Sequence, residues 1–292
     1  MKFVCAALCC GVLFAGMVQG AWAGSTAHQV GKYMVNTLSE GQSSGKAEIL
    51  LGASEDQLRT FVSDGAYPTA VNAFLVRGPN KTILVDTGFG RELFKNLAQL
   101  GVQPEDVDTV LLTHMHGDHI GGLLRDGKLA FPNAEVLVAR QEREYWTDAA
   151  IMNSLPEDKR GGFANAQKTL AAYGNKVRVF EPGELEQPSV DVLPDIAALA
   201  AFGHTPGHTM FLVHDGEDLL LIWGDLAHAM SIQMPVPSVA VTYDVDPAMA
   251  VASRQKVLRY VAEKGLPVAG MHIPQPGMGR VTAGEGGGYH FQ

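Results

Sequence analysis

Apolar and polar positions divide most of the chain into short strands and amphipathic helices. Residues 69–76 (TAVNAFLV) read as a strand and 81–85 (KTILV) as its partner across the turn Gly78-Pro79-Asn80, a hairpin ending at Asp86-Thr87-Gly88. Over 91–100 the apolar residues Leu93, Phe94, Leu97 and Leu100 fall at helical spacing. A buried strand over 107–112 then delivers Thr113-His114 at its end. Further strands are predicted over 134–139, 196–202, 210–213 and 219–223, and helices over 141–146, 163–173 and 247–264. Strands interleaved with helices predict an α/β fold whose sheets are covered by helices on their outer faces. Residues 24 to about 66 carry the weakest pattern and receive no element. No repeat or linker divides 24–292, which reads as one domain.

The first 23 residues stand apart. Met1-Lys2 precedes an uncharged run over 3–18, and Ala21-Trp22-Ala23 stands ahead of Gly24, the layout of a secretory signal peptide. The strongly apolar part is shorter than the roughly 20 residues of a membrane span and is interrupted by Gly11, Gly16 and Gly20. A periplasmic or secreted mature chain without a membrane span is therefore expected. Its three cysteines, Cys5, Cys9 and Cys10, all fall in the leader, so no disulfide is expected in the mature chain.

Composition narrows the class. Of 292 residues, 46% are hydrophobic and 18% charged, which excludes a disordered tail. The 33 glycines and 15 prolines are too many for a helical bundle. Lys and Arg total 22 against 31 Asp and Glu, a net charge of -9, which argues against nucleic acid and for a small-molecule substrate. The oligomeric state stays open, with a homodimer as one expectation.

Candidate chemistry concentrates in residues 113–122, Thr-His-Met-His-Gly-Asp-His-Ile-Gly-Gly. Here His114, His116, Asp118 and His119 fall within six positions directly after a predicted strand. Imidazole and carboxylate are zinc-type ligands, and no hydrophobic purpose would collect them in a short turn. Three more candidates each sit just past a strand: His204 in GHTPGH, Asp225 in WGDL and His272 in GMHIP. Ligands at several strand ends converge on one rim of a layered fold. The Gly121-Gly122 pair is expected to let the helix after the motif pack closely against the sheet.

The order HxHxDH, GHTPGH, GD after a strand and a late lone His resembles the metallo-β-lactamase fold hydrolases over nearly all of 24–292. Residues 129–134 (LAFPNA), 144–146 (EYW) and 272–279 (HIPQPGMG) are similar to the methyl parathion hydrolase-like branch, with Gly117 and His228 as departures. The resemblance implies an αββα sandwich of two mixed β-sheets flanked by helices. It implies two divalent metal ions, zinc by expectation: His114, His116 and His204 on one, Asp118, His119 and His272 on the other, and Asp225 bridging. A hydroxide held between them would be the nucleophile, which places Asp118 and Asp225 among the catalytic residues. Asp86 is implied as a carboxylate orienting a ligating imidazole, and His208 reads as a buried hydrogen-bonding residue outside the metal set. His28, His214 and His290 have no ligand partner nearby in sequence and default to structural roles.

Trp146, Phe131 and Phe163 have two readings, the wall of an apolar substrate pocket or ordinary core. His228 likewise reads either as a loop histidine or as a catalytic donor to a departing alkoxide, given an ordinary pKa near ~6.5. The leading function is hydrolysis of a small, uncharged ester-like substrate: a lactone, aryl ester or organophosphate triester. The alternatives are a β-lactamase-type amide hydrolase, a mononuclear iron persulfide dioxygenase and a non-catalytic periplasmic metal-binding protein.

Overall fold

The computed structural model describes residues 26–187 and 191–292, so the expected signal peptide and its cysteines lie outside the described residues. Two seven-stranded mixed sheets form the centre. The first runs, in spatial order, Ala27–Val30, Tyr33–Lys46, Ala66–Gly78, Lys81–Val85, Thr109–Leu111, Glu135–Ala139 and Val177–Phe180. Its first three pairings are antiparallel and its last three parallel. The second runs Asp191–Leu193, Ile196–Ala200, Thr209–Asp215, Asp218–Ile222, Pro267–Ala269, Met278–Ala283 and Tyr289–Phe291, with one parallel pairing at Asp218–Ile222 against Pro267–Ala269.

Period-2 alternation assigns the layers. In the first sheet Phe74, Val76, Ile83 and Val85 pack against Phe211, Val213, Leu220 and Ile222 of the second. The intervening Leu75 and Leu84 face outward under the helices Leu93–Gln99 and Gly161–Tyr173. On the far side, Leu199, Met210 and Leu221 lie under Val257, Leu258 and Val261 of the helix Pro247–Lys264. The order is thus helix, sheet, sheet, helix, as the resemblance implied.

Two differences from the sequence expectation have clear causes. The unassigned stretch contains the 14-residue strand Tyr33–Lys46, whose second half, GQSSGK, is polar and largely exposed. It is held extended by twelve pairings to Ala66–Gly78, with a register shift between Ser39 and Gly41, and not by any local pattern. The helix expected over 91–100 starts at Leu93 because Glu40, far away in sequence, accepts from the backbone N–H of Arg91, Glu92 and Leu93. The Gly121-Gly122 pair meets a loop and not the sheet. A Cβ on Gly122 would stand 2.5 Å from Thr87 O, and one on Gly121 2.8 Å from Phe89 Cα.

Candidate metal centre

The parallel strand Thr109–Leu111 ends where its hydrogen bonding stops, and the chain turns through Thr113-His114 into the short helix Gly117–Ile120 that carries Asp118 and His119. His204 comes from the loop before the strand Thr209–Asp215, Asp225 from the loop after Asp218–Ile222, and His272 from the loop after Pro267–Ala269. The two sheets thereby deliver all seven predicted ligands to one rim. His114 Nε2 and His204 Nε2 lie 2.9 and 3.0 Å from His116 Nδ1, and 3.7 and 3.3 Å from Asp225 Oδ2. Four donors at Zn–N distances of ~2.0–2.1 Å around a tetrahedral ion stand about 3.3 Å apart, the middle of that range. Asp118 Oδ1 is 3.7 Å from His119 Nε2 and its Oδ2 is 3.6 Å from His272 Nε2, forming a second cluster. Asp225 reaches both clusters, with Oδ1 3.2 Å from His119 Nε2 and Oδ2 3.0 Å from His272 Nε2.

The outer faces of the imidazoles show what the inner faces offer. His119 Nδ1 donates to Asp86 at 2.6 Å, His204 Nδ1 to Asp244 at 2.9 Å and His272 Nδ1 to the carbonyl of Ala70 at 2.8 Å. Thr113 Oγ1 gives its proton to Asp86 at 2.6 Å, so at 3.1 Å it can only accept from His114 Nδ1. Each ring's proton is therefore spent outward, and four bare Nε2 lone pairs converge with the carboxylates of Asp118 and Asp225. His119 Nε2 and Asp225 Oδ1 are buried with no hydrogen-bond partner, which a cation between them would supply. The residues fit two divalent ions.

Burial alone would lower the imidazoles of His119, His204 and His272, but Asp225 and the neighbouring carboxylates raise all three, His204 to about 9, so without ions these rings favour a second proton at the position a cation would take. Burial by itself would raise the pKa of Asp225, but the imidazoles of His119, His272, His228 and His114 hold it well below the carboxylate range. Burial and neighbouring His204 press His208 down to about 3. It is a neutral ring, with Nδ1 donating to Ala201 O and Nε2 accepting from the Asp225 backbone N–H, both at 2.9 Å. This fixes the loop that aims Asp225. Gly224, at φ +63°, is required there, since a Cβ would stand 2.4 Å from His208 Nε2.

His228 stands on the same rim, 5% exposed, with Nε2 3.0 Å from Asp225 Oδ2 and its ring stacked on His272 at 4.6 Å. Nδ1 has no partner, so the proton sits on Nε2. Burial pulls its pKa down to about 4, so it is a neutral hydrogen-bond donor and not the half-protonated group that the ordinary value suggested.

The three aromatics expected as candidates for a pocket wall are core instead. Phe131, Trp146 and Phe163 are 0%, 4% and 2% exposed and belong to the cluster under the outer helices of the first sheet. The cavity over the metal ligands, about 520 Å³, is walled by Ser43, Ser44, Tyr67, Thr69, Phe89 and Tyr243. Of these, Ser43 and Ser44 come from the stretch whose polar pattern gave no strand. Sequence reading also missed Asp244, which orients His204, and Glu142, a fully buried carboxylate. Neither stands in a motif; a carboxylate one turn before the lone Trp of EYW was the only available hint for Glu142. His214 pairs with Asp191 at 3.1 Å in the second sheet, away from the centre.

Comparison with known proteins gives the same answer. The chain is 29% identical to the hydrolase AbOPH of the β-lactamase superfamily, with a TM-score of 0.84 over 92% of this chain and 96% of that one. It is 27% identical to AidC, a dizinc quorum-quenching lactonase solved with a product, with a TM-score of 0.82 over 92% and 97%. The ribonuclease TTHA0252 of Thermus thermophilus is 31% identical over 176 residues, which make up 57% of this chain but only 37% of that protein. The pattern of the metallo-beta-lactamase superfamily matches residues 66–280, a span holding all seven donors, and the chain belongs to that superfamily.

Proposed function

We propose that this protein is a binuclear metal-dependent hydrolase of small, uncharged ester-like substrates, a lactone, an aryl ester or an organophosphate triester. The observation that carries the reading is the convergence of seven donor residues, five of which (His116, Asp118, His204, Asp225 and His272) line an open cavity whose walls are hydroxyl-bearing and aromatic. Two divalent ions held there would supply Lewis acidity toward water and toward the substrate's carbonyl or phosphoryl oxygen. Asp118 and Asp225 would offset the cations' charge, and Asp225 is the carboxylate within reach of both donor clusters. Phe89 and Tyr243, 43% and 53% exposed at the mouth, offer apolar contact to an acyl or aryl group. His228, with its Nε2 proton beside Asp225, is positioned to donate a hydrogen bond to a leaving oxygen. The proposed setting is outside the cytoplasm, in keeping with the leader-like first 23 residues.

The ribonuclease relative makes a phosphodiester the rival substrate. Against it, no Lys or Arg stands among the described residues lining the cavity, so a charged phosphate would find no counter-charge beyond the metals. The test is a substrate panel on zinc- and manganese-loaded protein: lactones, aryl esters, phosphotriesters, a phosphodiester and a chromogenic cephalosporin, with metal content and oxygen uptake recorded. Turnover of a neutral ester above the rest supports the proposal. Preference for the phosphodiester or cephalosporin, oxygen uptake with one iron, or retained metal with no turnover would each select a different reading. His228→Ala should keep its metal and lose ~10-fold or more in kcat on alkyl esters, and much less on nitrophenyl esters, whose delocalised leaving oxygen gains little from a hydrogen bond.

A further inference from the structure

Glu142 stands in the first turn of the helix Arg140–Thr147, fully buried and without a cationic partner, in a place where an apolar residue would cost less. Four donors converge on it. Oε1 accepts from the Met115 backbone N–H at 2.9 Å and from Trp146 Nε1 at 2.5 Å. Oε2 accepts from Thr205 Oγ1 at 2.6 Å and from the Gly207 backbone N–H at 3.0 Å. Met115 lies between His114 and His116, and Thr205 directly follows His204. The helix reaches the turn because position 207 is glycine; a Cβ there would stand 2.2 Å from Glu142 N. Trp146, one turn further along, presents its ring to His116 edge-on at 5.5 Å.

We propose that Glu142, braced by Trp146, is the positioning residue of the three-histidine metal position, tying the loop of His114 and His116 to the loop of His204. None of its four donors belongs to the residues holding the second position, Asp118, His119 and His272. That position is oriented by groups Glu142 does not touch, Asp86 on His119 and Ala70 O on His272, although Asp86 also reaches His114 through Thr113. Loss of Glu142 therefore loosens one ion and spares the other. The proposal rests on the binuclear reading above, and the experiment separates the two.

The full chain, loaded with zinc, is titrated with a chelator, and bound zinc per chain is measured at each concentration for wild type and for Glu142→Gln. The isosteric amide keeps the volume but turns an NH2 toward at least one of the four donors. The expected result is release of one zinc at ~10–100-fold lower chelator, the range for lost outer-shell support of a ligand, with the second zinc released as in wild type. A uniformly destabilised protein would lose both ions in parallel. Trp146→Phe, which keeps a ring and removes only the Nε1 donor, should shift the same single ion in the same direction by less, and carries the test if the glutamine variant does not fold. Parallel loss of both ions, or no shift in either variant, overturns the assignment of Glu142 while leaving the binuclear reading intact. A wild-type chain that holds only one zinc overturns both.

Discussion

Trp146→Ala separates the two readings of this residue most sharply. In a substrate wall the ring would contribute binding, and its loss would raise KM while leaving the fold unchanged. The structure instead buries the ring to 4% exposure, 4.8 Å from Phe163 and 5.2 Å from Tyr145, in the cluster that includes Phe131. An indole buries about 150–250 Å², which at ~25 cal/mol/Å² is worth about 4–6 kcal/mol. Part of that returns through relaxation of the site and burial in the unfolded chain, so the measured loss should be ~3–5 kcal/mol. For a chain of this size each kcal/mol lowers Tm by roughly 2 °C. A fall of about 6–10 °C is expected in thermal melting followed by circular dichroism, run with chelator present so that metal binding does not mask it. Activity on an aryl ester should fall through the amount of folded protein and the looser His116, with KM little changed. A Tm within about 2 °C of wild type together with a clearly raised KM would refute the placement of Trp146 in the core.

The centre yields further expectations. Asp225→Ala should lose both ions, read by elemental analysis against two per chain in wild type, because one carboxylate reaches both donor clusters. Asp244→Asn should weaken metal retention ~10–100-fold. Asp244 accepts from both His204 Nδ1 and the Val241 N–H, and the amide can serve only one of them as acceptor, so chelator competition is the check. Gly224→Ala should cost ~1–3 kcal/mol in chemical denaturation and release metal more readily, since the added Cβ drives His208 from the Asp225 backbone. Chelation of wild type should lower Tm by about 5 °C, because an ion at 100 times its Kd contributes ~2.7 kcal/mol to the folded state; equal melting with and without metal would contradict the proposed site.

Wherever chemistry or packing repeats locally, the sequence by itself determined the outcome. The β-branched, apolar run of KTILV marked a strand, though not which of its faces meets the other sheet, and the helix over Pro247–Lys264 has the bounds its spacing predicted. The candidate metal ligands were legible for a different reason. Histidines and carboxylates in a short turn have no packing purpose, so their presence is itself the signal, and the structure brings all seven together. Tertiary structure alone decided the rest. Tyr33–Lys46 is a strand because Ala66–Gly78 pairs with it, and the cavity wall it supplies could not be read from GQSSGK. The aromatics near HxHxDH and EYW carry no mark of which side of a sheet they occupy, and the fold put them under helices. Glu142, Asp244 and Glu40 act on groups up to 65 residues away, since Glu142 bonds Gly207, Asp244 bonds His204 and Glu40 caps Leu93. A carboxylate's role lies in the donors that surround it, and those donors assemble only when the sheets have packed.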